Sequence, residues 1–354
     1  MSRPPISFRR YMALTALSAA AVCAIAFAIN AAVDPLWHFG GNRFTGVNPH
    51  FNERLSKINL LQRRMADYDC LIFGSSRGTL MPGDAFAPHR CFNLSFASGQ
   101  IEEFIAYADY LRHLGMRPKL VVVGVDGFNF LREGRDPPSI PDFVRELRAP
   151  PGVLADYLSA GSLALSWQAL TQPGTPRYYD RNFDCVIRAD APAFDPARFR
   201  SAEGLQRNDA RRRQSIPFDS ANSRLYGELA KRFPDARVLA YVPPVSAWRI
   251  DEMERNGLLD GYLDALYATA GHFPRLIDFS LPGERTARTD NTYDGSHYAV
   301  AVNRDMAAQL MSEGAPAWGV EVTGAGRDVY QRRYRQALLA FRDAQEFRAS
   351  AHLP

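Results

Sequence analysis

At 354 residues, with 46% hydrophobic and 23% charged side chains, the chain has the make-up of one ordinary globular domain with additions, or of two small domains. Its net charge is +4, and its bases are almost all arginine, Lys57, Lys119 and Lys231 being the only lysines. That balance is too weak and too dispersed for a nucleic-acid partner, which requires a clustered basic face.

The first readable element is the run 11–33, rich in Ala, Leu, Ile, Val and Phe and without a charge until Asp34. About 20 apolar residues cross the hydrocarbon core of a bilayer as a helix, so this run is long enough to span it. Arg3, Arg9 and Arg10 lead the run, and Asp34 and Pro35 follow it. The positive-inside bias then leaves residues 1–10 as a cytoplasmic tail and puts the bulk of the chain outside, in the periplasm. A cleaved signal peptide is the alternative, since Ala24, Ala26 and Ala28 offer a small-residue cleavage site; the length of the run favours an uncleaved anchor in the cytoplasmic membrane.

Residues 34–66 read as a polar connector with scattered aromatics, closing on a helical stretch over 53–65. From Cys70 the pattern is α/β. The run 70–74 is short, apolar and ended by Gly74, as buried parallel strands are, and 92–96 is a second, weaker strand. Between them and a third strand at 119–124, Ile101, Phe104, Ile105, Ala108 and Leu111 recur at helical spacing. A helix over 224–233 leads to a fourth strand, 237–242, stopped by Pro243 and Pro244. A helix over 258–267 precedes a fifth strand near 276–279, and a last domain helix covers 302–310. Strands alternating with helices predict a parallel sheet covered on both sides, a doubly wound three-layer αβα sandwich spanning 67–315.

Residues 131–217 break this rhythm with prolines, arginines and aromatics and a short helical piece at 162–170. They read as an insertion between the third and fourth strands, a lid or a partner surface. Residues 316–354 form a C-terminal helical extension in which Tyr330, Tyr334, Leu338 and Phe341 recur among arginines. It is either a helix docked on the domain or a basic helix lying on an anionic surface. Of the four cysteines, Cys23 falls in the apolar run, while Cys70 and Cys91 each open an expected strand. Outside the cytoplasm these two are either a disulfide between neighbouring strand starts or two buried thiols.

Ligands of an open parallel sheet bind beyond the carboxyl ends of its strands, and three stretches fall there. Gly74-Ser75-Ser76-Arg77 follows the first strand; a serine on such a turn is a helix cap or, beside a base, a nucleophile. Residues 93–99, ending in Gly99, lead from the second strand into a helix and bring a backbone N–H toward a substrate carbonyl, or form a plain turn. Tyr293-Asp294-Gly295-Ser296-His297 puts an Asp three residues before a His, so that Asp294 can orient one ring nitrogen and leave the other as base for a serine.

In this order and after these elements, the three stretches resemble the SGNH, or GDSL-like, hydrolase superfamily. The resemblance covers about residues 67–310 apart from the insertion, and implies a flavodoxin-like sandwich. It makes Ser76 the nucleophile, Asp294 and His297 its base pair and Gly99 an oxyanion residue, with no metal or dissolved cofactor. One block departs: where the family shows G-x-N-D, this chain has Gly124-Val125-Asp126-Gly127-Phe128-Asn129. An ionised Asp126 in an oxyanion hole would repel the developing charge, so Asn129 takes the donor role, or Asp126 binds a substrate hydroxyl, or activity is weak. The anchor, the G-S-S-R block and the Y-D-G-S-H-Y context are similar to anchored members that serve cell-surface polysaccharides, the alginate O-acetyltransferase-like proteins and the D-alanyl transfer protein of teichoic acids. That resemblance implies acyl transfer, expected as O-acetyl, or ester hydrolysis on a carbohydrate polymer, with a membrane acyltransferase or assembly complex as partner. The rival expectation is a non-catalytic assembly or glycan-binding component that keeps the fold.

Overall fold

Short apolar runs, each closed by glycine, proline or a polar turn, become the strands of one sheet: β1 (Cys70–Phe73), β2 (Cys91–Asn93), β3 (Leu120–Gly124), β4 (Arg237–Val242) and β5 (Leu276–Asp278). The computed structural model describes residues 7–48, 52–131, 137–171, 176–200 and 218–351, with 348–351 described by main chain alone. The parts of the expected insertion at 132–136, 172–175 and 201–217 lie outside the described residues. Two compact units emerge: Met1–Arg63 with Ala149–Asp184, and Arg64–Arg148 with Cys185–Pro354. The stretch read as one insertion is therefore divided, its middle part grouping with the N-terminal segment.

In the larger unit the strand order is β2-β1-β3-β4-β5-β6, where β6 (Val320–Glu321) is a short edge strand inside the C-terminal extension. The first five strands are parallel and β6 is antiparallel to β5. The fold is mixed α/β with a mostly parallel sheet, and its strand order reverses between β1 and β3. Such a reversal opens a crevice at the carboxyl ends of those two strands.

The pleat sends alternate residues to opposite faces. Ile72, Val122, Leu239 and Ile277 share one face with Met306, Ala307 and Leu310 of a helix, α7 (Val300–Met311). On the other face Phe73 packs on Phe104 of α3 (Ile101–His113) and on Phe233, which follows α4 (Ser223–Lys231). Both faces are covered, which is compatible with a three-layer αβα sandwich and accounts for strands apolar on both sides. Two further helices, α5 (Ala247–Arg255) and α6 (Leu259–Ala270), and the C-terminal α8 (Arg327–Ala351) complete the unit. Buried Asp251 of α5 is shared by Arg200, Arg255 and Arg342, the last of them on α8. The C-terminal helix is thus docked on this unit through charge as well as through Tyr330 and Tyr334. Cys70 and Cys91 lie opposite each other in the β1–β2 register and form a disulfide.

The smaller unit begins with α1 (Phe8–Val33), capped by Ser7 and ended by Asp34 in a left-handed conformation. Twenty-six residues rise about 39 Å, more than the roughly 30 Å hydrocarbon layer, so α1 is long and apolar enough to cross a membrane. After it, α2 (Glu53–Arg64) buries Lys57 against the rings of Tyr179 and Phe183, and Glu53 accepts the Tyr179 hydroxyl at 2.7 Å. The Asp34 carboxylate accepts the N–H groups of Phe39 and Gly41 and the hydroxyl of Tyr157.

Candidate active site

The carboxyl ends of β1, β3 and β4 open onto a cleft of about 570 Å³ in the larger unit, lined by Ser75, Ser76, Arg77, Asp294, Ser296 and His297 on its polar side. Leu131, Phe199, Phe218, Met253, Leu258 and Tyr262 supply much of the rest.

The spacing of Asp294 and His297 has a local cause. The Asp294 carboxylate folds back on its own turn and accepts the N–H groups of Ser296 at 2.8 Å and His297 at 2.9 Å. This closure needs Gly295, whose φ is +77°; a Cβ there would stand 2.8 Å from Ser246 Oγ. The other carboxylate oxygen lies 2.7 Å from His297 Nδ1. Arg249 of α5 steadies the turn through two bonds to the Asp294 carbonyl, at 3.1 and 2.8 Å. Tyr293 stacks on the imidazole with the ring planes 8° apart.

Burial alone would raise the Asp294 carboxyl; the His297 ring and the N–H groups of His297 and Ser296 outweigh it and hold the carboxyl well below the usual carboxylate range. An ionised carboxylate only accepts, so His297 Nδ1 carries a proton, and in the neutral imidazole Nε2 is left to accept. Nε2 is 2.9 Å from Ser76 Oγ, across 221 residues of chain. Serine, histidine and aspartate are therefore joined in one hydrogen-bonded series. Pairing with a carboxylate does not distinguish His297, because His89 meets Asp69 at 3.1 Å and, in the smaller unit, His38 meets Asp156 at 2.6 Å. The serine on the second ring nitrogen does.

Asp126 and Asn129 do not reach the cleft, and Gly99 does not present its N–H to it. The Gly99 N–H donates to Phe96 O at 3.0 Å, within its own turn. Glycine is needed there for close packing, since a Cβ would meet Gly74 O and Phe104 at 2.9 Å. Asn129 is buried, and its side-chain oxygen accepts the N–H of Ile101 at 3.1 Å, which caps α3. Asp126 is 0% exposed, so it is not placed to bind a substrate hydroxyl. One of its oxygens accepts the Ser75 N–H at 3.3 Å; the other faces Arg77 Nε at 3.3 Å.

Arg77, which follows Ser76, and Asp126, the departure from the resembled pattern after the third strand, are therefore partners. The Asp126 carboxyl is buried beneath the cleft while Arg77, 21% exposed, lines it. This pair, Arg249 and Asn93 are the features that sequence reasoning missed. Asn93 donates to the carbonyls of Gly78, Thr79 and Met81 and so clamps the segment after Ser76. Its signal was an amide within the apolar run 92–96. No protein-family model matches the chain, and no curated protein sequence matches it, so a function has to be argued from the geometry of this site.

Proposed function

We propose that the chain is a membrane-anchored, extracytoplasmic serine esterase or O-acyltransferase of the SGNH type, acting on a cell-surface or exported polysaccharide. The hydrogen-bonded series Ser76–His297–Asp294 at the carboxyl ends of parallel strands carries this reading. His297 Nε2 takes the Ser76 proton as Oγ attacks an ester carbonyl. The imidazolium then returns the proton to the departing alcohol, leaving an acyl-serine. A sugar hydroxyl or water, deprotonated by the same nitrogen, attacks the acyl carbon and frees the serine. The Arg77 guanidinium, next to the nucleophile and already balanced by Asp126, supplies positive charge for the oxyanion in place of the expected Gly99 and Asn129 donors. The α1 helix supports the anchor, and the Cys70–Cys91 disulfide supports an oxidising compartment for the larger unit.

The test is release of nitrophenol from a nitrophenyl acetate by the full chain in detergent. Ser76→Ala should lower the rate by about 10⁴-fold or more. Equal turnover by the variant would overturn the assignment.

The second reading, a non-catalytic assembly or glycan-binding component of an envelope polysaccharide system, is favoured by the commitment of the Gly99 N–H to its own turn and by the full burial of Asn129. Glycan retention by Ser76→Ala together with no esterase activity in the wild type would select it.

A further inference from the structure

Helix 160–171 of the smaller unit is dressed inside out. Its twelve residues, A-G-S-L-A-L-S-W-Q-A-L-T, carry no charge. The buried positions are Ser162, Ser166 and Ala169; Leu163, Trp167 and Leu170 are exposed, Trp167 by 68%. The preceding turn adds exposed Leu154 and Leu158. A helix facing water buries its apolar stripe and turns its polar one outward. This one reverses both.

What the small polar face packs against explains the reversal. Ser166 Oγ donates to Asn30 Oδ1 at 2.7 Å, and Asn30 Nδ2 donates to Tyr157 O at 2.9 Å, while Phe27 meets the Tyr157 ring. Asn30 and Phe27 belong to the C-terminal end of α1. Small residues and serine–asparagine bonds are how helices associate in lipid, where apolar side chains gain nothing by leaving the surroundings. Counting about 20 residues inward from the arginine-flanked start of α1 brings the far edge of the hydrocarbon layer to the neighbourhood of Asn30. Helix 160–171 is thereby held at that edge. An exposed tryptophan among leucines suits the interfacial layer, where its ring sits among headgroups.

We propose that Leu154, Leu158, Leu163, Trp167 and Leu170 form a second, shallow membrane contact, embedded in the lipid leaflet reached by the C-terminal end of α1. Twelve residues rise about 18 Å, too short to span, so the contact is monotopic. It rests on α1 crossing the bilayer, and it adds a lipid-facing surface that fixes how the smaller unit meets the membrane.

The test uses the full chain in phosphatidylcholine vesicles with and without dibromo-acyl lipid. Brominated lipid should remove most of the Trp167 emission, measured as the difference between wild type and Trp167→Phe, and aqueous iodide should leave it unchanged. Leu163→Asp with Leu170→Asp should restore the emission in brominated vesicles while alkaline carbonate still fails to extract the chain. Trp167 emission quenched by iodide and not by bromolipid, in a chain that resists extraction, overturns the shallow contact alone. So does bromolipid protection that grows with protein-to-lipid ratio, which would mean a second copy covers the patch. Extraction of the wild type by carbonate removes the anchor itself and the proposal with it.

Discussion

Two helices of twelve residues, Val300–Met311 and Ala160–Thr171, divide their side chains in opposite ways. The first buries Val302, Met306 and Leu310 and leaves residues such as Arg304 outside; the second buries serines and shows leucine and tryptophan. The difference lies in what surrounds them. Where water is the medium, apolar burial drives packing, and polar groups at the surface are available for chemistry. Where lipid is the medium, polar groups are what hold helices together. Asp294 and Ser166 are the corresponding polar residues of the two regions, one orienting a histidine ring and the other joining two helices.

Substitutions at these positions put the contrast at risk, and the largest effect belongs to the reaction. Asp294→Asn should cut kcat for a nitrophenyl ester by about 10⁴-fold, because the orientation and tautomer of His297 depend on it; near-wild-type kcat would detach Asp294 from the chemistry. Next comes packing. Leu310→Ala, at a fully buried site, should cost roughly 2–5 kcal/mol in urea unfolding of the detergent-solubilised chain. Leu170→Ala should stay within about 0.5 kcal/mol in the same measurement. Equal costs would abolish the distinction between the two helices. Ser166→Ala, which deprives Asn30 of its donor, should cost about 1 kcal/mol and leave esterase activity alone.

The smallest effect is a pH dependence. The folded Asp294 carboxyl lies below its unfolded value of about 4, so its contribution to stability is whole above that value and is lost as pH falls through and below it. The stability gap between wild type and Asp294→Asn should therefore narrow on going from about pH 6 to about pH 3, measured by urea melts. A gap that widens would show that the carboxylate does not gain from its partners in the fold.

Much of the larger unit was legible because strand ends are punctuated. Gly74, Gly124 and Pro243 mark where β1, β3 and β4 stop, and the apolar runs before them leave little freedom of assignment. The Asp294–His297 spacing was legible for the same local reason. The edge strand Val320–Glu321 was not, since two residues carry no periodicity. Helix α5 was hidden because one of its buried positions is Asp251, and an ion-paired carboxylate inside breaks the apolar count. The Arg77–Asp126 pair joins two loops that only the sheet brings together. Without it, Asp126 looked like an obstacle to catalysis. The orientation of helix 160–171 could not be read from its spacing, because the same leucines mark an inward face in water and an outward one in lipid.

The bond between Cys70 and Cys91, twenty-one residues apart, closes a ring of chain that carries Ser76 within it. Part of that ring, near Ala87 and Arg90, is exposed. A protease that nicks it there opens the loop but detaches nothing: the strand leading to Ser76 and the strand beside it stay covalently joined. Ser76 is thus protected against loss by a single cut in that stretch.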